Sequence, residues 1–542
     1  MSNQAVIDKV QIFSAAKIIS MASPDPRAFA TLADRIVATG SVDELKARFP
    51  KAQRYDFGKA TIVPGFNDAH MHLAMMSEDL LHVDVFPRKT PSIAAIKSRL
   101  RDEIERTGPG EWIRASRYDD AKMPEGRVLA RADLDEVSRD IPILVMHIAC
   151  HWGVANSKAL EMAGYGEQSP DPAGGRLGRD AAGRLNGLLF ERALGKVGYA
   201  LASEVDPDAL APRPSEERLG GLGRAVKMLH AAGLTSVTDA FTTPADIALF
   251  EEGRRRRILT VRLNMMLGYM HYDRMRKLGV LSGFGDDHLR IASVKALVDG
   301  AIGGRTCLME QPFEGTTDDY GMQTMPTNDL RDVVNMVHED GSRIGVHANG
   351  DRAISLLLDQ LESAQLKHPR PELHHRIEHC TIINETILKR MKRLGAIAVP
   401  FGNYVNYHGG KLLDWYGRER VKRMFACRSF LDAGVAVAGS SDHPCSPFEV
   451  MEAIQSCVTR RGWDGALIGE DQRISTREAL ALYTINGAYT TGEDDHKGRL
   501  APGFLADFVV LGRDPLTTDA NELSSIQVRE TWVGAERVFQ SE

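Results

Sequence analysis

Residues 61–72 read Thr-Ile-Val-Pro-Gly-Phe-Asn-Asp-Ala-His-Met-His. The apolar start of this stretch predicts a buried strand, which leads into two histidines separated by one residue. Residues two apart on an extended strand point the same way, so His70 and His72 can aim both imidazoles at one point. Two neutral imidazoles that converge are the beginning of a zinc-type site. The pair alone also fits two histidines at a strand end, one buried and one solvated.

Downstream of residue 230, short β-rich runs alternate with amphipathic helical segments. Alternation of this kind predicts βαβ units and a parallel sheet. Together with the strand that ends near residue 67, eight units indicate an α/β fold of the (β/α)8 TIM-barrel type. The other predicted strands cover residues 235–240, 261–267, 289–299, 343–349, 376–380, 396–401 and 435–441. Predicted helices between them include residues 329–340, 353–365, 385–394 and 418–431.

Two regions of the chain do not fit a barrel. Residues 1–63 and 498–542 contain short strands and turns without helical periodicity, and we expect them to pair into a small β-sandwich domain. The barrel domain then covers residues 64–497. Within it, residues from about 75 to 215 are too many for one connection between a strand and a helix. We expect a long insertion with some helical content that covers the barrel mouth.

Composition excludes several classes of protein. The chain has 542 residues, of which 43% are hydrophobic and 26% charged, as in soluble globular proteins. Its net charge of −6 argues against a nucleic-acid partner. No apolar run reaches membrane-spanning length and no signal-peptide pattern is present, so we expect no membrane association. The six cysteines are scattered without a C-x-x-C pair, which fits reduced thiols in a cytoplasmic protein.

Metal-ligand residue types occur at the predicted strand ends, where the active sites of such barrels lie. They are His70, His72, Lys295, His347, His379 and Asp442. Each has an ordinary alternative. Lys295 could extend to solvent. His347 and His379 could be core histidines that are hydrogen-bonded to the backbone. Asp442 could cap the helix that follows it. Their coincidence at five strand ends favours a metal site.

Taken together, the motifs resemble the amidohydrolase superfamily, specifically its third amidohydrolase group. The resemblance spans nearly the whole chain, and the set of motifs is far more specific than any one of them. The motifs are Pro64-Gly65-Phe66-x-Asp68-x-His70-x-His72, His151-Trp-Gly-Val-Ala-Asn156-Ser157-x-Ala159-Leu160, Val294-Lys295-x-x-x-Asp299-Gly300, His347-Ala-Asn-Gly350-Asp351, Arg376-Ile-Glu378-His379, Ser441-Asp442-x-Pro444 and Pro502-Gly503-x-x-Ala506-Asp507.

The resemblance implies one or two divalent metal ions, of which zinc is the expected one. It implies that His70 and His72 bind the more buried ion. It places His347 and His379 at the more exposed ion. Asp442 would contact the metal site and act as general base.

Lys295 matches the position where many relatives carry a lysine carboxylated by carbon dioxide, which bridges two metals. The physical chemistry agrees, because an ammonium group would repel the metals whereas a carbamate supplies two anionic oxygens. Burial lowers the pKa of a lysine and makes the neutral amine available to react. By the same resemblance, His151 in the insertion should reach the substrate or its oxyanion, although a surface histidine is the alternative.

Further residues are expected around the metal ligands and in the substrate pocket. Four residues near the predicted metal ligands in sequence are expected to orient those ligands. They are Asp351, Glu378, Asp299 and Arg305. Aromatic residues of the insertion suggest an apolar or aromatic pocket, and these are Trp112, Tyr118 and Trp152.

The predicted function is hydrolysis of the C–N bond of a small N-acyl or N-formyl compound. Hydroxide generated at the metal would attack the acyl carbon, and Asp442 would carry the proton to the leaving nitrogen. A cyclic amide or imide hydrolase, an esterase and an isomerase remain alternatives, since fold does not fix substrate. A non-enzymatic scaffold is disfavoured because it has no need for a full ligand set. A homodimer or other homo-oligomer is the default assembly.

Overall fold

A parallel β-barrel forms the centre of the molecule. The computed structural model describes residues 10–106, 111–198 and 214–542. Seven parallel strands lie side by side in their order along the chain. They are Phe66–Met71, Leu234–Thr242, Arg262–Gly268, Leu289–Leu297, Ile344–Ala348, Arg376–His379 and Ile397–Val399. Apolar residues on these strands are buried, as expected where helices cover the sheet. The predicted α/β barrel is confirmed.

Closure of the barrel differs from the predicted eighth strand at residues 435–441. This segment forms only isolated parallel bridges to the seventh strand, one of them between Ala398 and Val437. On its other side, the Asp442 N–H donates to the carbonyl of His70 at 2.8 Å. A continuous ladder does not form because the Ser441 N–H donates to the carboxylate of Asp68, at 3.1 Å, instead of to a backbone carbonyl.

Helices surround the barrel, and capping residues in the sequence mark where several of them begin and end. Helix Glu385–Leu394 coincides with its predicted range; it is capped by the Asn384 side chain and ends at Gly395, whose φ is 63°. The predicted helix 418–431 is instead divided in two, because Phe425 takes a φ of 50° between the halves. The helices of this region are Leu73–Asp79, Glu216–Ala231, Pro244–Arg255, Tyr269–Lys277, Thr327–Glu339, Asp351–Lys367, Glu385–Leu394, Tyr404–His408, Lys411–Val421, Cys427–Ala433, Val450–Thr459, Thr476–Leu482 and Ile485–Tyr489. Among the described residues, no helix is long and apolar enough to cross a membrane.

Both ends of the chain build two sheets that pack face to face outside the barrel. One sheet contains Val10–Ser14, Ala28–Leu32, Arg35–Gly40 and Gln53–Asp56. The other contains Lys17–Ile18, Thr61–Pro64, Phe508–Leu511, Val528–Val533 and Glu536–Gln540. Phe13 of the first sheet meets Phe508 and Trp532 of the second, with ring centroids 4.8 and 5.1 Å apart. The domain limits at residues 63 and 498 stay a prediction, and residues 1–9 lie outside the described ranges.

The long insertion contains a sheet of its own, which was not predicted, together with helices. Its strands are Val83–Asp84, Ile113–Tyr118, Ile143–His147, Trp152–Ala155, Gly175–Arg179 and Leu185–Glu191. Its helices are Ile93–Ile104, Arg131–Asp135 and Ser157–Met162. The last of these strands alternates buried and half-buried side chains, so one of its faces packs on a core. Residues 107–110 and 199–213, which belong to the predicted insertion, lie outside the described residues.

A buried ion pair joins the barrel to the terminal sheets, and we expect Arg262→Ala to destabilise the protein strongly. Arg262 donates from Nε and Nη2 to the two carboxylate oxygens of Asp507, at 2.6 and 3.0 Å. Loss of the guanidinium leaves a buried unpaired carboxylate, which costs about 3–5 kcal/mol of unfolding free energy. Urea titration measures this loss. Arg254→Ala, which removes an exposed pair with Asp286, should cost less than about 1 kcal/mol. Equal losses in the two variants would contradict this account.

Candidate active site

Side chains from separate strand ends meet at the carboxyl end of the barrel. Nε2 of His70 and Nε2 of His72 each lie 3.3 Å from Oδ1 of Asp442. The ring centroid of His379 lies 4.8 Å from that of His70 and 4.4 Å from that of His347. Ligand atoms of His70, His379 and Asp442 lie within 4.8 Å of one another. The structure thus brings together the histidines and the aspartate that the sequence singled out.

Lys295 reaches the same point from the fourth barrel strand. Its Nζ lies 3.3 Å from Nε2 of His70, and its side chain is almost completely buried. Burial lowers the pKa of Lys295 to about 8. The amine therefore loses its proton far more readily than an ordinary lysine does.

These donors are arranged for a cation rather than for one another. Buried Nδ1 of His379 and buried Oδ1 of Asp442 have no hydrogen-bond partner of acceptable geometry among the described residues. Burial lowers the pKa of His72 and of His379, which keeps both imidazoles neutral. Burial would raise the pKa of Asp442, but His379, His70 and His72 hold it well below its ordinary range. Neutral imidazoles beside an ionised carboxylate are a ligand set for a divalent metal.

Glu378 orients His70. Its Oε2 accepts a short hydrogen bond from Nδ1 of His70, which fixes the tautomer and leaves Nε2 free to bind a metal. Arg376 donates to both oxygens of Glu378, at 2.7 and 2.8 Å, and to the carbonyl of Ala69. Burial would raise the pKa of Glu378, but Arg376 and His70 lower it below its ordinary range. The sequence analysis named Arg376 within a motif but gave it no role, although two charges at i and i+2 in an apolar strand were a signal.

Asp299 supports His347 and the turn that follows it. Asp299 Oδ1 lies 3.5 Å from Nε2 of His347 and accepts the N–H of Asn349 at 3.0 Å. Nε2 of His347 lies 3.1 Å from the carbonyl of Gly300 and 3.0 Å from Nδ2 of Asn349. Burial raises the pKa of Asp299 to about 7. This carboxyl group is placed to fix the histidine rather than to bind a metal.

Two residues predicted to orient the ligands do something else. Asp351 starts helix Asp351–Lys367 and pairs with Arg423 at 3.2 Å. The guanidinium of Arg305 packs over the ring of Phe313, 5.5 Å from its centroid. Neither forms a described hydrogen bond or ion pair with the clustered histidines. Closeness in sequence to a ligand candidate did not place these two side chains at the site, because the chain leaves the site after each strand ends.

The three aromatic residues predicted to line the substrate pocket also lie elsewhere. Tyr118 and Trp152 are buried in the core of the insertion, with ring centroids 6.0 Å apart. Trp112 packs at the edge of a second apolar cluster of the insertion. A sheet with its own core needs large apolar side chains, and these residues serve that packing. The aromatic residues that line the cavity are Tyr165, Phe241 and Tyr269.

His151 reaches from the insertion toward the metal-ligand candidates. Its ring centroid lies 5.2 Å from that of His347, and its Nδ1 lies 2.8 Å from Oε2 of Glu191. Burial alone would lower the pKa of His151, but the charge of Glu191 and its hydrogen bond raise it above the ordinary value. Sequence reasoning missed Glu191, which ends an insertion strand and belongs to no recognised motif.

Three residues of the site have strained backbone. His379, Asp442 and Glu191 have φ angles of 70°, 52° and 51°, in the left-handed region that non-glycine residues avoid. Such conformations cost about 1–3 kcal/mol each and persist where the surrounding structure enforces them. Here each one lets the chain leave its strand while its side chain enters the cavity.

A cavity of about 720 Å³ lies above these residues. Its floor includes Lys295, His347, His379 and Asp442, and His151 lies at its side. Its walls are partly apolar, and they include Phe241, Tyr269, Met270, Leu297 and Met325. A cavity of this size and character accommodates a small organic molecule.

Known proteins resemble this chain in sequence and in fold. The Amidohydrolase family matches residues 55–539. An N-substituted formamide deformylase from Arthrobacter pascens is 30% identical over 518 residues, which cover 92% of this chain and 92% of that protein. The crystal structure of an uncharacterized metal-dependent hydrolase from Pyrococcus horikoshii OT3 aligns with a TM-score of 0.75 at 22% identity, over 94% of this chain and 99% of that one. Another from Pyrococcus furiosus aligns with a TM-score of 0.72 at 25% identity, over 94% and 100%. The chain therefore belongs to the amidohydrolase family and is a hydrolase that acts on carbon–nitrogen bonds.

Proposed function

We propose that the protein hydrolyses the C–N bond of a small N-acyl or N-formyl compound. The observation that carries this proposal is the convergence of neutral imidazoles, Lys295 and an ionised Asp442 at the floor of a substrate-sized cavity. The name of the related deformylase supports an N-formyl amine as one form of the substrate.

Zinc is the metal that we propose, because imidazole nitrogens and carboxylate oxygens suit it. His70, His72 and Asp442 would hold one ion, and His347 and His379 would contribute to a second position. When bound, the metal supplies a Lewis acid that lowers the pKa of water and polarises the substrate carbonyl.

Asp442 is the proton carrier in this proposal. Its lowered pKa keeps it ionised at neutral pH, so it can accept the proton of the attacking water. Once protonated, a carboxyl group with a low pKa is a strong acid, and it passes that proton to the leaving nitrogen. The nitrogen then departs as a neutral amine instead of an amide anion.

His151 would stabilise the charge that develops on the substrate oxygen. Its Nδ1–H donates to Glu191, which leaves Nε2–H free to donate to that oxygen. Glu191 keeps the imidazolium protonated and holds the ring in place. Thr306 in turn donates to Glu191 at 3.3 Å.

Glu191→Gln is expected to lower kcat/KM about 10- to 100-fold at pH 8, because His151 loses the charge that keeps it protonated. The pKa of His151 is raised in the wild type, so the imidazolium persists to higher pH and is lost as the pH rises through that pKa. In the variant, this loss begins at lower pH. The pH profile of kcat/KM measures the shift, and Glu161→Gln on the exposed face of the insertion is the control. An unchanged alkaline limb would refute the role of Glu191.

We also propose that Lys295 is carboxylated. With a pKa of about 8, about a tenth of the amines are neutral at pH 7. The neutral nitrogen adds to carbon dioxide, forms a new C–N bond and releases a proton. Zinc binding to chelator-stripped protein should therefore be tighter with bicarbonate than in buffer free of carbon dioxide. Lys295→Gln should remove this dependence, and equal zinc affinity in both buffers of the wild type would contradict carboxylation.

A substrate panel tests the proposed function. It contains N-formyl and N-acetyl amines together with a lactam, an imide and an ester of similar size. We expect turnover of the open-chain amides, loss of turnover after chelation and recovery on addition of zinc. Turnover confined to the lactam, the imide or the ester would replace the proposed reaction by one of its alternatives.

A further inference from the structure

We propose that the substrate carries an anionic group, such as a carboxylate, at the end remote from its scissile amide, and that Arg192 and Lys196 bind this group. The inference rests on the proposed amide hydrolysis and names the class of amide that the cavity accepts.

Arg192 and Lys196 belong to one short helix of the insertion, Arg192–Val197, and both line the 720 Å³ cavity. Both residues are exposed. The ammonium of Lys196 lies over the ring of Tyr165, 5.0 Å from the centroid. The stem of Arg192 lies against Gly174, where an added Cβ would come within 3.1 Å of its Cδ. Both cations are thus held against the cavity wall.

The charges of these two residues are not balanced within the cavity. Among the described residues, neither forms an ion pair with a carboxylate. The acidic residues that line the cavity have other partners, because Glu191 binds His151 and Asp442 belongs to the metal-ligand cluster. Within the described part of the chain, these two cations add positive charge to this side of the cavity, which favours an anionic ligand. The planar guanidinium of Arg192 suits a carboxylate, to which it can donate two parallel hydrogen bonds.

Backbone geometry places this cation next to the proposed oxyanion donor. On a regular strand, Glu191 and Arg192 would point to opposite faces. The left-handed conformation of Glu191 turns the chain, and both residues line the same cavity. The backbone N–H of Glu191 donates to the carbonyl of His151 at 2.8 Å, so Arg192 follows directly after a backbone contact with His151. A substrate whose carbonyl contacts His151 can therefore extend a short spacer toward Arg192.

The wall between the two ends defines the spacer. Tyr165 and Leu194 line the cavity on this side, so an aryl or alkyl spacer fits better than a polar one. The substrate class is therefore an N-acyl amine with a short apolar spacer and a terminal carboxylate.

Ordinary solvated surface cations are the alternative. Two basic side chains of the insertion that lie outside the cavity have acidic partners: Lys158 pairs with Glu161 at 3.1 Å, and Arg184 pairs with Asp180 at 2.9 Å. Lys158 therefore supplies a matched control, since it carries the same charge on the same insertion and does not line the cavity.

The test compares 4-formamidophenylacetate with its neutral primary amide, 4-formamidophenylacetamide, as substrates. In the wild type we expect kcat/KM to favour the carboxylate about tenfold, as for a charged hydrogen bond at a partly solvated site. Arg192→Gln and Lys196→Gln should each reduce this ratio, the double variant should bring it close to one, and Lys158→Gln should leave it unchanged. A wild-type ratio near one, or an unchanged ratio in the double variant, would overturn the proposal.

Binding separates this inference from the proposed function. If neither compound is hydrolysed, the N-formyl reaction fails, and calorimetric titration of the wild type with the same two compounds then decides the anion site. Tighter binding of the carboxylate, lost in the double variant and kept in Lys158→Gln, would support it. Equal affinity for the two compounds would overturn it.

Discussion

Asp442→Asn is expected to reduce kcat by about 10²- to 10⁴-fold, the usual contribution of a general acid–base group. The amide of asparagine has nearly the shape of the carboxylate and keeps one oxygen that can coordinate the metal, so the metal should remain bound. It cannot accept the proton of water, and the leaving nitrogen then lacks its acid. Turnover at saturating zinc, with elemental analysis of the same sample, measures both effects. Retained turnover would remove Asp442 as the proton carrier.

Asp351→Asn is the matched control for this variant. Asp351 follows another barrel strand and was also expected near the site, yet its carboxylate pairs with Arg423 and accepts the N–H of Glu310. We expect a modest loss of stability and nearly unchanged kcat. A loss of kcat comparable to that of Asp442→Asn would show that the chemistry does not depend on the metal-ligand cluster alone.

His70→Ala is expected to remove bound metal and to destabilise the fold together, because metal-binding energy is also folding energy. The substitution also leaves Glu378 without its imidazole partner in a buried place. Elemental analysis should show loss of metal, and thermal unfolding should show a lower Tm. Chelator should lower the Tm of the wild type but have little further effect on the variant.

His338→Ala separates loss of metal from general damage to the core. His338 is fully buried and bonds to His375 and to the carbonyl of His368, at the amino ends of the barrel strands that carry His347 and His379 at their other ends. This variant should lose stability but keep its metal. Wild-type metal content in His70→Ala would refute the assignment of His70 as a ligand.

Much of the barrel was predictable because local sequence chemistry determines its elements. Helix Glu385–Leu394 has a capping residue at one end and glycine at the other, and its range was predicted to the residue. The segment at 435–441 differed because the side chain of Asp68, distant in sequence, takes the place of a backbone acceptor. The hydrophobic pattern of this segment contains no information about a hydrogen-bond partner so distant in sequence.

The site residues also divide into those that local sequence predicts and those that depend on distant contacts. His70 and His72 followed from their spacing on a strand, and their neighbours at other strand ends followed from barrel geometry. Glu191 was missed and Arg376 was given no role, because each acts through a contact that only the folded chain creates. The aromatic residues of the insertion were misplaced for a related reason. Whether Trp152 faces a cavity or a core depends on the sheet around it, which periodicity did not reveal.

The central claim is that a metal lies among the imidazoles and the carboxylate at the barrel's open end. Anomalous diffraction from a crystal of the protein, recorded on both sides of the zinc absorption edge, tests it most directly. The account predicts a strong peak between His70, His72 and Asp442. A fully active protein without a peak there, or with metal only elsewhere, would contradict it.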